Sequence, residues 1–220
     1  NSRDEMLSRR VSENQLDATA DVYVAMMGAL LIERGAELKN ISFVDAGIEL
    51  VRFFVSHSAW IDGALVEKWM RYMWSESMMH AFALYALARH TGDRTHRKAA
   101  DATLRKVVEQ TQDSSGLWHH WADSRGNKGA FWSRASQWPL LWMTQALLFV
   151  EPGSESADFM QQSIGKTFEA LRKHQDPKHG IWHLVINELD TRLESTASSA
   201  IVYCYDRLRE LDRVTESISP

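Results

Sequence analysis

Seven stretches of this chain carry apolar residues at a 3.6-residue spacing, and the gaps between them alternate between short and long. The spacing predicts helices over 15–33, 40–56, 74–91, 94–110, 134–150, 155–174 and 194–211. The gaps after the first, third and fifth helices are only a few residues, while those at 57–73, 111–133 and 175–193 are long. Short links join antiparallel neighbours, so up-down alternation brings every long link to the same end. Stop signals fit this reading: Gly35 after the first helix, Thr91-Gly92-Asp93 after the third and Glu151-Pro152-Gly153-Ser154 after the fifth. No segment alternates strictly like a strand. The expectation is an all-α chain, residues 1–220 as one domain, built of α-hairpin repeats side by side in a toroid or solenoid.

Composition removes several classes of function. With 45% hydrophobic residues the chain can bury a sizeable core. Net charge is −4 and Lys and Arg are scattered, with no basic stripe for a nucleic acid. The densest basic run, Arg94, His96, Arg97 and Lys98, reads as the solvated start of a helix. The single cysteine, Cys204, excludes an internal disulfide and a cysteine-rich zinc site. The longest apolar run, Val22 to Ile32, is half the roughly 20 residues needed to span a bilayer, so no membrane partner is expected. No signal peptide is visible, but the chain begins at Asn1, which leaves the compartment open. Asn40-Ile41-Ser42 is a glycosylation sequon that matters only if the protein is secreted.

An internal repeat supports the hairpin pattern. Asp113-Ser114-Ser115-Gly116-Leu117-Trp118-His119 resembles Asp176-Pro177-Lys178-His179-Gly180-Ile181-Trp182-His183, with Gly, Trp and His each offset by 64 residues. Trp60-Ile61-Asp62-Gly63-Ala64-Leu65 reads as a fainter third copy. All three lie in long links. Most of the nine tryptophans gather at that end: Trp60 and Trp69 in the first link, Trp118, Trp121 and Trp132 in the second and Trp182 in the third. Trp74 and Trp138 begin the helices that follow, and only Trp142 lies further inside one.

The polar residues expected at the same rim form a short set. Asp17 opens the first helix, Glu76 the third and Glu194 the seventh. Arg134 and Trp138 share one face of the opening turns of the fifth, and His120 lies in the second long link. A carboxylate at a helix N-terminus is also a capping residue, so Asp17, Glu76 and Glu194 each carry that simpler explanation. Together with Arg134, His120 and the aromatics they read as a binding basin. Aromatic faces stack on pyranose rings, an arginine fork matches a carboxylate, and two carboxylates supply an acid and its partner for glycosidic chemistry. A zinc site from His119, His120 and His183 is the weaker reading, because adjacent loop histidines rarely bind one metal, and no metal or other cofactor is expected.

These motifs resemble the unsaturated glucuronyl and rhamnogalacturonyl hydrolases of glycoside hydrolase families 88 and 105. The family's Gly-Leu-Trp/Phe-Tyr-His looks like Gly116-Leu117-Trp118-His119-His120. Its Trp-x-Arg-Gly-Asn-Gly-Trp looks like Trp132-Ser133-Arg134-Ala135-Ser136-Gln137-Trp138. Its Glu-Thr-Ser-Ala-Ser-Ala looks like Glu194-Ser195-Thr196-Ala197-Ser198-Ser199-Ala200. Leu16-Asp17 and Trp74-Ser75-Glu76 match the starts of two inner helices. The resemblance implies an (α/α)6 toroid, expected here as an open arc that lacks the first hairpin and the last part of a full barrel. It also implies a reaction. An acid protonates the 4,5 double bond of an unsaturated uronic acid, water adds at C5, and the resulting hemiketal collapses with release of the sugar.

On that basis Glu76 is the acid/base and Asp17 the second carboxylate. His120, Arg134, Trp138, Trp132, Trp74, Trp118 and Glu194 hold the substrate, an acidic oligosaccharide. The chain departs from the pattern at three places. Glu76 stands for an aspartate, and a misplacement of about 1 Å can cost roughly 100-fold in rate. Ala135-Ser136-Gln137 replaces Gly-Asn-Gly, and Glu67-Lys68 replaces His-Lys. These leave two other readings: a divergent member that binds a sugar or another small ligand without hydrolysis, and a helical protein-interaction module. An open arc with exposed apolar helix faces also predicts a homodimer.

Overall fold

The structure, a computed structural model, describes residues 18–66 and 72–212. Seven α-helices are present among them: α1 (Ala18–Glu37), α2 (Ile41–His57), α3 (Met78–Thr91), α4 (Arg94–Thr111), α5 (Ser133–Ala146), α6 (Glu155–Lys173) and α7 (Ser195–Glu210). The odd-numbered helices pack successively against one another, α1 on α3, α3 on α5 and α5 on α7. Helices α2, α4 and α6 each back the odd helix that precedes them. The two rows bury different faces. In α3 every residue from Met78 to Ala88 is buried, as befits a helix with neighbours on all sides. In α4 only a stripe is buried, Ala99, Ala100, Thr103, Leu104, Val107 and Thr111. One core cluster runs from Ala25 in α1 to Leu208 in α7. This is the expected array of α-hairpins.

Capping chemistry sets most helix ends. The Asp93 carboxylate accepts the Thr95 N–H at 2.7 Å, and the Ser154 hydroxyl accepts the Ala157 N–H at 3.3 Å. Gly92 closes α3 in the left-handed region at φ 70°. Gly35 does not stop α1, contrary to expectation. It lies inside the helix at a close crossing with α2, where an added Cβ would sit 2.8 Å from the Val44 nitrogen. The stop falls at Lys39, left-handed at φ 54°, with the Asn40 N–H on the Gly35 carbonyl at 2.8 Å and the Lys39 N–H on Ala36 at 3.2 Å. The segment expected to start the third helix also differs. Tyr72–Trp74 is a strand and Ser75–Ser77 a 3-10 turn, and α3 begins only at Met78.

Strands were not expected, and the described residues form six short ones: β1 (Ala59–Ile61), β2 (Ala64–Val66), β3 (Tyr72–Trp74), β4 (Trp121–Asp123), β5 (Trp182–His183) and β6 (Leu193–Glu194). They pair antiparallel as β1–β2, β3–β4 and β5–β6. Two or three residues are too few to show a period-2 pattern. The β3–β4 ladder joins the first long link to the second, and a bridge between Trp132 and Val185 joins the second to the third. The three long links therefore meet at one end of the helix array.

Candidate functional site

The repeated Asp-to-His loops form the floor of this end. In the first copy the Asp113 N–H binds the Leu117 carbonyl at 2.8 Å and the Gly116 N–H binds Asp113 at 2.9 Å. In the second, Asp176 binds Ile181 at 2.9 Å and Gly180 binds Asp176 at 2.8 Å. Each aspartate carboxylate accepts backbone amides of its own loop, foremost Ser115 for Asp113 and His179 for Asp176, which lowers both carboxyl pKa values. Trp60 is no third copy. It is exposed in β1, ahead of a two-residue Asp62-Gly63 turn with both φ positive, the geometry of a tight hairpin.

The repeat also corrects the assignment of Trp118. That side chain is wholly buried, and its indole N–H donates to the Thr167 hydroxyl of α6 at 2.9 Å. Trp182 does the same one repeat on, donating to the Leu171 carbonyl of α6 at 2.7 Å. Both indoles anchor the links to the outer helix, so Trp118 has no face left for a ligand. His119 stacks on Phe131 at 4.3 Å with its Nδ1 on the Gly129 carbonyl at 2.7 Å, and His183 has its Nδ1 on the Thr191 carbonyl. Among the described residues no group of three or more His, Cys, Asp or Glu is placed to hold a metal ion.

Above this floor the structure gathers four of the expected rim residues. The Arg134 guanidinium lies over the Trp132 ring, 3.9 Å from its centroid, and the His120 ring meets Trp132 at 4.7 Å and 61°. Arg134 Nη1 is 3.4 Å from Glu194 Oε1. Glu194 is the N-cap of α7, accepting the Ala197 N–H at 2.9 Å and the Thr196 N–H at 3.3 Å. Burial pushes its carboxyl up, but the Ala197 amide, the Thr196 hydroxyl and amide and the Arg134 charge outweigh that and hold it below the usual value. Burial, and after it the Arg134 charge, lowers the His120 pKa, which keeps the imidazole neutral near pH 7. Trp138, one turn along α5 from Arg134, stacks parallel to Trp142 at 6.5 Å, and Trp142 meets Phe82 of α3 at 5.1 Å.

Asp17 lies outside the described residues. The backbones of Trp74 and Glu76 are described and their side chains are not. The Ser75 N–H donates to the His120 carbonyl at 3.1 Å, which puts the Glu76 backbone beside the second long link. The Ser133 N–H donates to the Leu184 carbonyl at 2.9 Å, and Leu184 follows His120 by 64 residues, the spacing of the loop repeat. Glu76, in the 3-10 turn that leads into α3, and Arg134, in the first turn of α5, therefore hold corresponding stations at the entries of neighbouring helices. The sequence carries that signal as Trp74-Ser75-Glu76 against Trp132-Ser133-Arg134, and reading only the loop repeat missed it. Ser136 and Gln137, noted in the sequence only as departures from Gly-Asn-Gly, are buried on α5 with side-chain oxygens that have no hydrogen-bond partner.

Comparison with known proteins gives the family and the fold of the chain. The family model of Glycosyl Hydrolase Family 88 matches residues 14–210. The unsaturated rhamnogalacturonyl hydrolase YesR of Bacillus subtilis (strain 168) is 33% identical over 86 residues, 38% of this chain and 25% of that protein. A glycoside hydrolase of family 105 from C. acetobutylicum ATCC 824 superposes with a TM-score of 0.75 at 20% identity, over 87% of this chain and 58% of that one. An unsaturated glucuronyl hydrolase from Bacillus sp. GL1 superposes with a TM-score of 0.69 at 12% identity, over 93% of this chain and 62% of that one. The chain spans less than two thirds of the length of each of these proteins, and the shared fold is the (α/α)6 toroid. With its family match running from the edge of α1 to the end of α7, this chain belongs to Glycosyl Hydrolase Family 88.

Proposed function

We propose that the protein takes part in hydrolysing unsaturated uronic-acid oligosaccharides, by hydration of the 4,5 double bond. The observation that carries this is the His120–Trp132–Arg134–Glu194 cluster, in a chain of this family, at the rim where the backbone of Glu76 also lies. The names of the relatives point to the same substrate class.

In this proposal Trp132 and Trp138 offer aromatic surface to the sugar. Arg134, always charged, meets its carboxylate. Neutral His120 accepts or donates a hydrogen bond beside it. Glu76 delivers the proton to C4 while water adds its oxygen at C5, and the second carboxylate, Asp17, assists. The C5 hemiketal then opens and the glycosidic oxygen leaves with a proton. We extend the proposal to pairing of two copies through apolar side chains exposed on the end helices, Tyr23 and Met27 on α1 and Val202 and Tyr203 on α7. Light scattering that shows a monomer removes that extension.

The test is the ultraviolet absorbance of the conjugated uronate, followed while the protein acts on lyase-generated unsaturated oligosaccharides. A time-dependent fall that disappears in Glu76→Gln is the expected result. No fall with the full-length protein turns the reading toward a non-hydrolytic sugar binder.

A further inference from the structure

Glu194 is built unlike a ligand contact. Only 9% of its side chain is exposed, against 32% for Arg134. Both of its carboxylate oxygens face partners within the protein. Oε2 takes the Ala197 N–H, and Oε1 takes the Thr196 N–H and lies 3.4 Å from Arg134. Arg134 is restrained from two sides, by Trp132 beneath its plane and by Glu194 at Nη1, and it still reaches solvent. An arginine fixed in this way loses less conformational freedom when it grips a carboxylate than one that must first be ordered. An acidic sugar placed directly against Glu194 would also meet a like charge.

We propose that Glu194 is a positioning residue, which holds Arg134 over Trp132 while the sugar's carboxylate meets Arg134 alone. The sugar in this statement rests on the uronic-acid reading above, whereas the restraint of Arg134 does not.

Two substitutions separate the roles of Glu194. Glu194→Gln keeps the length and an oxygen for the cap but removes the charge. Glu194→Ser keeps N-cap chemistry and is too short to reach Arg134. The first readout is the mobility of the Arg134 Nε–H by NMR in the ligand-free protein, assigned by its disappearance in Arg134→Ala. It is expected to be restrained in the wild type and mobile in both variants. Equal restraint in Glu194→Gln and the wild type overturns the proposal.

The second readout is steady-state hydrolysis of an unsaturated uronyl disaccharide. Glu194→Gln is expected to raise KM about tenfold with little change in kcat, and to add nothing in an Arg134→Ala background. A full additional loss in that background overturns the proposal. If the wild type does not turn over the uronide, the proposed reaction fails, and the mobility of Arg134 alone decides the role of Glu194.

Discussion

The guanidinium carbon of Arg134 sits 3.9 Å from the centroid of the Trp132 ring, with the Glu194 carboxylate at one of its nitrogens. A planar, delocalised cation suits that place, because it can lie on an aromatic face and still present a fork. Arg134→Ala is expected to weaken binding of a uronic-acid oligosaccharide roughly 10- to 100-fold, the usual scale for a charge-assisted hydrogen bond. The matching neutral oligosaccharide should lose far less. Arg134→Lys should recover little, since an ammonium neither stacks nor forks. Calorimetry on the acidic and neutral pair checks this, and equal losses on both would refute the assignment.

His120 gives the protein a pH signature. Its folded pKa is lowered, by burial first and by Arg134 second. As pH falls through the ordinary histidine range, the unfolded chain takes up this proton before the native state does, so stability falls. Above that range both states are neutral and the term vanishes. His90 shifts in the same direction, through burial and then Arg89, and contributes separately. Thermal midpoints of wild type and His120→Asn should therefore converge at low pH relative to their difference at pH 8. Parallel pH profiles would show that this imidazole is not responsible. Further into acid, Glu194 acts through its lowered pKa: its contribution is present above the ordinary carboxylate value and is lost as pH falls through the folded one.

The helices were legible because each hairpin repeats an apolar period of 3.6 between recognisable caps, as at Asp93 and Ser154. Gathering the long links at one end followed from link length alone. Link length therefore puts His120, Arg134, Trp132 and Glu194 at one rim. The failures have local causes. Gly35 carries a stop signal in composition, but its lack of a side chain serves a helix crossing, which depends on a partner distant in sequence. Trp118 and Trp182 sit in the long links between helices, where a tryptophan reads as exposed. Only the packing of α6 shows that Thr167 and Leu171 take their indole N–H groups.

Trp118 and Trp132 should separate cleanly under mutation. Trp118→Ala opens a cavity in the core and removes the anchor to Thr167, for an expected cost of about 3–5 kcal/mol in denaturant unfolding. The ligand affinity of the protein that remains folded should stay close to wild type. Trp132→Ala removes a half-buried ring at the rim, so its stability cost should be smaller and its loss of sugar affinity much larger. A Trp118→Ala protein that unfolds like the wild type but binds sugar poorly would return Trp118 to the rim.

Gly116 and Gly126 both have positive φ, 95° and 86°, but in different surroundings. An added Cβ at Gly116 would lie 2.2 Å from the Lys166 carbonyl oxygen of α6, whereas at Gly126 it would meet nothing within 4 Å. Backbone strain alone should make Gly126→Ala cost about 1 kcal/mol. Gly116→Ala adds a clash with helix backbone that has no flexible end to swing aside, for an expected total of about 2–5 kcal/mol. Because the loop of Gly116 carries Trp118 and leads to His120, its displacement should also reduce the proposed uronide hydrolysis at temperatures where the protein is still folded. Denaturant midpoints of the two variants, measured beside their activity, check both parts. Equal costs at the two glycines would mean that the loop does not press on α6 as closely as the structure places it.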